Sequence, residues 1–370
     1  MKPVLVVNSG SSSLKYQVID LDSETSLLAG LIERVEDHSL AFAQMVTKLN
    51  QSGIEPVAVG HRVVHGGAKF SEPTLITPEV ISAIEDLVTL APLHNPGNLA
   101  GIRGAIAAFP DLPQVAVFDT AFHQTMPKSS YTYAIDAELS EKHGIRRYGF
   151  HGSSHAFVSK AAAKFLHQES FTGIVLHLGN GGSACAIKDG KSVNTSMGMT
   201  PLQGLVMGTR AGDMDPAIIL HLSQVAGMSI QEIDQSLNKD SGLKGLTGDS
   251  DLRDVEKRAQ DHDEVAQTAL AIYALRIKHY IGAYLAQLGE IDAIVFTAGV
   301  GENSIEMREQ VCAGLEHLGI ELEYQKNAVR SEEPRDIATR GSKVRILVIP
   351  TNEELEIAQQ AAAVVVQSAS

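Results

Sequence analysis

Polar side chains that can grip an oxyanion recur along this chain, mostly where a run of β-branched residues gives way to a turn. They are Asn8, Ser11, Ser13 and Lys15; Arg62; His94; Asp119; His151; Asn180; Arg210 with Asp213 and Asp215; Asp251 with Arg253; Gly299 to Asn303; and Glu353. Guanidinium, imidazole, hydroxyl and ammonium groups donate to phosphate oxygens, while Asn and Glu offer hard oxygens to a divalent cation. Each residue taken singly has a plain structural role. Arg62 suits a surface, Asp119 a helix cap, and Asp215 a cap before Pro216. Thr351 and Glu354 have capping-box spacing, which makes Glu354 structural and leaves Glu353 available to a metal. The case for a phosphate site is collective.

Two segments share the plan that would position such groups. Val4 to Asp20 and Ile174 to Ile187 each read as strand, Gly/Ser/Asn turn, strand. Turns of that composition let backbone N–H groups approach an anion. One such hairpin in each half predicts two related lobes with a nucleotide between them. Around them, residues 57–67 predict a strand running into a glycine turn. Thr77-Pro78-Glu79 opens a helix to about Leu90, and Asn95-Pro96 opens another that ends before Pro110. Residues 114–119 predict a buried strand with Asp119 at its C-terminal end, where open α/β sheets bind ligands. In the second half, Asp215-Pro216 starts a helix, residues 263–288 form a long amphipathic one, and residues 291–297 and 344–350 are strands. Residues 353–367 form a closing helix. Residues 21–56 carry no clear pattern. Alternating strands and helices make the fold class α/β.

Several familiar motifs fail on single positions. Gly190-Lys191-Ser192 resembles the end of a Walker A loop, but Cys185 stands where that loop needs Gly. Gly299-Val300-Gly301 begins like a dinucleotide fingerprint, yet Ser304 breaks it. His151 and His155 are four apart without the Glu of a zinc protease helix, which argues against zinc.

The 370 residues suffice for two domains, and a net charge of -14 disfavours nucleic acid as a partner while leaving nucleotides open. The two cysteines, Cys185 and Cys312, suit a reducing compartment. The start of the sequence lacks the pattern of a signal peptide, and no apolar run approaches the roughly 20 residues that span a bilayer. The expected location is cytoplasmic.

Residues 6–15 (Val-Val-Asn-Ser-Gly-Ser-Ser-Ser-Leu-Lys) and 148–155 (Tyr-Gly-Phe-His-Gly-Ser-Ser-His) closely resemble the two signature segments of the acetate kinase family. The resemblance continues in family order through residues 60–67, 91–96, 117–123, 177–181, 207–210, 296–303 and 350–354. Only residues 21–56 stand outside it, where this chain looks shorter. Ser153 stands where Thr is usual, and Ala211 where Cys or Ser is common.

The resemblance implies two ribonuclease H-like lobes of the actin/hexokinase superfamily around a nucleotide cleft. The first would hold residues 1–123 and 353–370, with the last helix packed back onto it, and the second residues 124–352. It also implies reversible, magnesium-dependent transfer (manganese being an alternative) of a phosphoryl group from ATP to acetate, giving ADP and acetyl phosphate, in a homodimer. Arg62, Asp119, His151 and Arg210 would be catalytic, and Asn8 and Glu353 would orient the metal. Lys15, Ser11, Ser13, the His177-Leu178-Gly179-Asn180-Gly181 turn, Asp251-Leu252-Arg253 and Gly299-Val300-Gly301-Glu302-Asn303 would hold the nucleotide. Arg62, Val64, Leu93, His94, Phe150 and Pro201 would receive the short acid. Two alternatives stay open: a propionate or butyrate kinase of the same family, and an actin-fold nucleotide-binding chaperone or regulator.

Overall fold

A computed structural model describes residues 3–10, 12–35, 37–92 and 94–368. It divides into two α/β units. The first comprises the chain up to Gln124, Phe150–Phe157 and the segment from Asn352 onward. The second comprises Thr125–Gly149 and Val158–Thr351.

The first unit is built on β1 (Pro3–Ser9), β2 (Ser13–Asp20), β3 (Thr25–Glu33), β4 (Ala58–Val63), β5 (Thr74–Leu75) and β6 (Gln114–Phe118), in the order β3-β2-β1-β4-β6-β5. The second is built on β7 (Gly173–Leu178), β8 (Gly182–Lys188), β9 (Lys191–Thr195), β10 (Ala293–Thr297), β11 (Arg335–Asp336) and β12 (Arg345–Val348). Read from the other edge, its order is β9-β8-β7-β10-β12-β11, the first order repeated strand for strand. In both sheets the first three strands form an antiparallel meander. The next two run parallel to the first. A short antiparallel strand closes the edge. The repeat legible in two hairpins therefore extends to whole sheets. Parallel β1, β4 and β6 deliver Asn8, Arg62 and Asp119 to one sheet end, where ligands of such sheets bind.

Strand periodicity explains the layering. Along β1, Val4 and Val6 pack with Ile357, Ala358 and Ala361 of the helix Glu353–Ser368. Leu5 and Val7 point the other way, onto Phe42, Met45 and Ala105. Gly60 lets the last helix seat closely, since a Cβ there would lie 3.0 Å from the Ile357 side chain. In the second unit the helix Glu264–Leu288 buries Ala266, Leu270, Tyr273, Ile277, Ile281 and Tyr284, a stripe at helical spacing.

Four expectations need correction. Residues 21–56 hold β3 and the helix His38–Ser52, capped by the Asp37 carboxylate on the Ser39 N–H. The strand is hard to read because its burial alternates between half-buried and exposed positions, Leu27 and Leu31 among the exposed. The helix opened at Thr77 stops at Asp86 and tightens into a 3₁₀ turn, Leu87–Thr89. The last helix is capped from Asn352, whose Oδ1 accepts the Leu355 N–H, and the Glu354 carboxylate, expected in a capping box, ion-pairs with Lys15. Phe150–Phe157 groups with the first unit rather than with residues 124–352. The cause is local, since the Gly152 N–H donates to Asp119 O at 2.9 Å and His123 Nε2 meets Phe150 O at 2.9 Å.

Candidate active site

In the first unit an ion pair sits at the ends of β4 and β6. Arg62 Nε donates to Asp119 Oδ1 at 3.0 Å and Nη2 to Oδ2 at 2.8 Å, a bidentate fork. Asp119 is buried and fixed through its backbone on both sides, its N–H donating to Val63 O and its C=O accepting from Gly152. Position 152 must be glycine, because a Cβ would lie 2.2 Å from Asp119 O. Burial pushes the Asp119 carboxyl above its ordinary value, and Arg62 opposes that. Burial also disfavours the guanidinium, but Asp119, Glu353 and Glu354 together outweigh it and raise the Arg62 pKa. With Nε and Nη2 turned to Asp119, no acceptor among the described residues meets Nη1. That edge remains available to an external anion.

Glu353, first residue of the last helix, joins this group. Its Oε2 accepts from Ser153 Oγ at 3.1 Å and lies 3.8 Å from Arg62 Nη2. His151 takes a left-handed backbone, φ 58°, immediately before the helix Gly152–Phe165. Such a conformation in a non-glycine residue is strained and tends to mark functional positions. Phe150 is buried, with the His65 ring edge-on at 5.6 Å. The β1–β2 turn is closed by the Gly10 N–H donating to Ser13 O at 2.8 Å. Asn8 pairs across the ladder with Lys15, whose ammonium is held by Glu354. His94 precedes the helix Asn95–Ala108. Ser11 and Leu93 lie outside the described residues.

Asn95 and Asn98 are buried members of the first unit that spacing alone did not single out. Asn98 binds the Val64 N–H and the Ser9 C=O, and Asn95 binds the N–H and C=O of His65. Two asparagines three apart on either side of Pro96 were the available signal.

The second unit contains a cavity of about 870 Å³. Of the residues expected to hold a nucleotide, Gly179, Asn180, Asp251, Leu252, Arg253, Gly299, Val300 and Asn303 line it. Gly208 closes one wall against Asn180, since a Cβ there would lie 2.0 Å from Asn180 Oδ1. Gly181 instead closes the turn by accepting the Gly179 N–H, and His177 and Leu178 are buried in β7. Gly301 is buried behind the loop. Glu302 serves the scaffold: its Oε1 accepts from the Ala298 N–H at 2.7 Å and the Thr351 N–H at 3.0 Å. The first of these bonds meets Ala298, at φ 65° where β10 turns into the next helix. Sequence reasoning missed Ser250, Glu256, Lys257, Tyr273 and Arg330 on the cavity wall, which have no motif of their own.

Arg210 is half-buried in the same unit. Its Nη1 donates to Pro201 O at 3.3 Å, and no carboxylate among the described residues pairs with it. Burial lowers its pKa from the ordinary value. An uncompensated, desolvated guanidinium is the electrostatic signature of an anion site. Asp213, by contrast, is structural: it accepts from Gly204 N and Tyr280 Oη and faces Arg276.

A buried arginine–aspartate fork, another arginine that pairs with no carboxylate among the described residues, and a glycine-walled cavity, on repeated α/β units, define a phosphoryl-transferring enzyme. The acetokinase family profile matches residues 3–53 and 34–359. The acetate kinase of Leifsonia xyli subsp. xyli is 56% identical over 390 residues, covering 98% of each chain. That of Halothermothrix orenii is 50% identical over 395 residues, covering 98% of this chain and 99% of its own. Among solved structures, Porphyromonas gingivalis acetate kinase has a TM-score of 0.94 at 40% identity, covering 99% of this chain and all of that one. A propionate kinase from Francisella tularensis subsp. tularensis has a TM-score of 0.94 at 43% identity, covering 98% and all. The chain belongs to the acetokinase family. The two profile segments overlap at residues 34–53, so the match is interrupted within the stretch that looked short.

Proposed function

We propose that this protein catalyses the reversible transfer of a phosphoryl group from ATP to acetate, forming acetyl phosphate and ADP. The observation that carries the reading is the Arg62–Asp119 fork with its open Nη1 edge. Acetate is ionised at neutral pH, so no base is required to activate it. What the reaction needs is orientation of two anions and neutralisation of charge on the phosphoryl group. Asp119 holds one edge of Arg62 and leaves the other for the acetate carboxylate. Asp119 is thus a positioning residue, and a proton-abstracting role has no support in its pairing. Arg210 and His151 donate to the transferring phosphoryl group, with His94 and His177 as further donors. The cavity beside Asp251-Leu252-Arg253 and Gly299–Asn303 takes the nucleotide, with the Gly179–Asn180 turn toward its phosphates. Lys15 and Ser13 serve the phosphate from the β1–β2 turn.

Asn8 and Glu353 suit a magnesium ion by chemistry, both offering hard oxygens. Magnesium is commonly bound by one or two protein oxygens, with water and substrate phosphates completing its shell. When bound it neutralises phosphate charge. Val64 and Phe150 of the first unit give the acyl end an apolar wall. Each added methylene there is worth about 1–3 kcal/mol, so propionate is a poorer substrate than acetate and butyrate poorer again.

The apolar helix Ala217–Gln224 buries none of its residues, and Leu220, Val225 and Ile230 are exposed around it. That face supports a homodimer, which sedimentation at equilibrium tests; a monomer at micromolar concentration contradicts it. Neither cysteine is in a disulfide, which suits a cytoplasmic location. No helix among the described residues is long and apolar enough to cross a membrane.

Trapping acyl phosphate with hydroxylamine tests the function. Hydroxamate should form with ATP and acetate and decline from acetate to propionate to butyrate. Slow ATP hydrolysis without acyl phosphate contradicts the proposal, and a preference for butyrate replaces the substrate.

A further inference from the structure

We infer that Asn98 is a positioning residue that fixes the β1–β2 phosphate turn and the acyl-binding wall in register. The inference rests on the proposed acetate phosphorylation. Asn98 lies in the first turn of the helix Asn95–Ala108 and is 4% exposed. Its Oδ1 accepts from the Val64 N–H at 3.0 Å, and its Nδ2 donates to Ser9 O at 2.8 Å. One amide thus ties the residue two beyond Arg62 to the residue one beyond Asn8. The orientation of the amide is fixed by its partners, because an N–H requires the oxygen and a C=O requires the nitrogen. The Ser9 bond is buried and the Val64 bond partly so, and losing either leaves a backbone group short of its partner.

Two neighbours make the clamp stiff. Asn95 holds His65 by both its N–H, at 3.2 Å, and its C=O, at 3.1 Å. Gly101, on the same helix face three residues on, lets the helix meet the strand, since a Cβ would lie 2.5 Å from Ser9 Cβ. The helix therefore presses on the turn through Gly101, and holds turn and wall together through Asn98. Asparagine alone supplies one donor and one acceptor at this reach. Aspartate can keep the Val64 bond but faces the Ser9 carbonyl with a second acceptor.

The two arms of the clamp can be broken separately. Asn98→Asp and Gly101→Ala disturb the Ser9 side and spare Val64, whereas Asn98→Ala releases both. Wild type must first form acetyl hydroxamate; its failure to do so overturns the proposed reaction, not the clamp. We expect kcat to fall by on the order of 10- to 100-fold in all three variants, as sub-ångström misplacement of reacting groups does. The ratio of kcat/KM for acetate to that for propionate should stay within about twofold of wild type in Asn98→Asp and Gly101→Ala, and shift by about threefold or more in Asn98→Ala. Loss of stability alone does not move that ratio. Wild-type kcat in folded Asn98→Asp, or the same change of ratio in all three variants, overturns the inference. If Asn98→Ala does not fold, Gly101→Ala with unchanged kcat does so by itself.

Discussion

The two units carry the same sheet order and use it differently. At the strand ends of the first, charges are paired: Arg62 with Asp119 and Glu353, and Lys15 with Glu354. In the second, Arg210 has no carboxylate partner among the described residues, and the cavity is walled by glycines and mixed polar groups. Pairing makes a rigid, pre-aimed donor, which suits a small anion that must be held in one pose. Open glycine walls admit a large ligand through backbone contacts. The repeat thus supplies two frames, and the side chains at the strand ends decide what each frame does.

The comparison can be broken most sharply at Arg62. Arg62→Ala removes the open donor edge and strands Asp119 in a buried site without its cation. Turnover should fall by about 10²–10³, with a loss of roughly 3–5 kcal/mol in unfolding stability. Turnover near wild type in a folded variant would remove the first unit's pair from the chemistry.

Next is a buried histidine on the same strand. His61 on β4 is 2% exposed, bonded to Gln114 at 2.8 Å, and burial lowers its pKa from 6.5 to about 4. The unfolded chain binds a proton here between those values while the folded chain does not. Stability from this group is therefore present above pH 6.5 and lost as pH falls toward 4, by on the order of 3 kcal/mol. Urea unfolding of His61→Gln should show a flatter profile across that window than wild type; superimposable profiles would contradict the assignment.

The second unit is sharpened by Gly208→Ala, which drives a methyl into Asn180 and the Ser250 carbonyl. The KM for ATP should rise about tenfold or more while the KM for acetate holds within about twofold. Equal changes in both would mean that the cavity is not the nucleotide's. Smallest is Glu354→Gln, which breaks a partly exposed pair with Lys15. It should alter unfolding stability by under about 1 kcal/mol in guanidinium titration.

Much of this was legible beforehand, for physical reasons that differ by residue. Asp119 ends a short run of buried β-branched residues, so its place at a strand end followed from pattern. The Gly/Ser/Asn turns announced the hairpins. Glu302 misled because it sits inside a glycine loop, yet its carboxylate caps backbone N–H groups. Asn98 stayed hidden because its partners, Ser9 and Val64, are distant in sequence. The cavity residues Glu256 and Tyr273 lie on helices, where periodicity signals burial and is blind to a ligand.

The division of labour is tested most directly by Asp119→Asn, assayed for ATP affinity by calorimetry and for acetyl phosphate formation by hydroxamate trapping. Nucleotide affinity should stay within about threefold of wild type while turnover falls by about 10²–10³, since the fork that aims Arg62 is lost and the second unit's cavity is untouched. ATP affinity that weakens as much as turnover, or turnover that survives, would contradict the account.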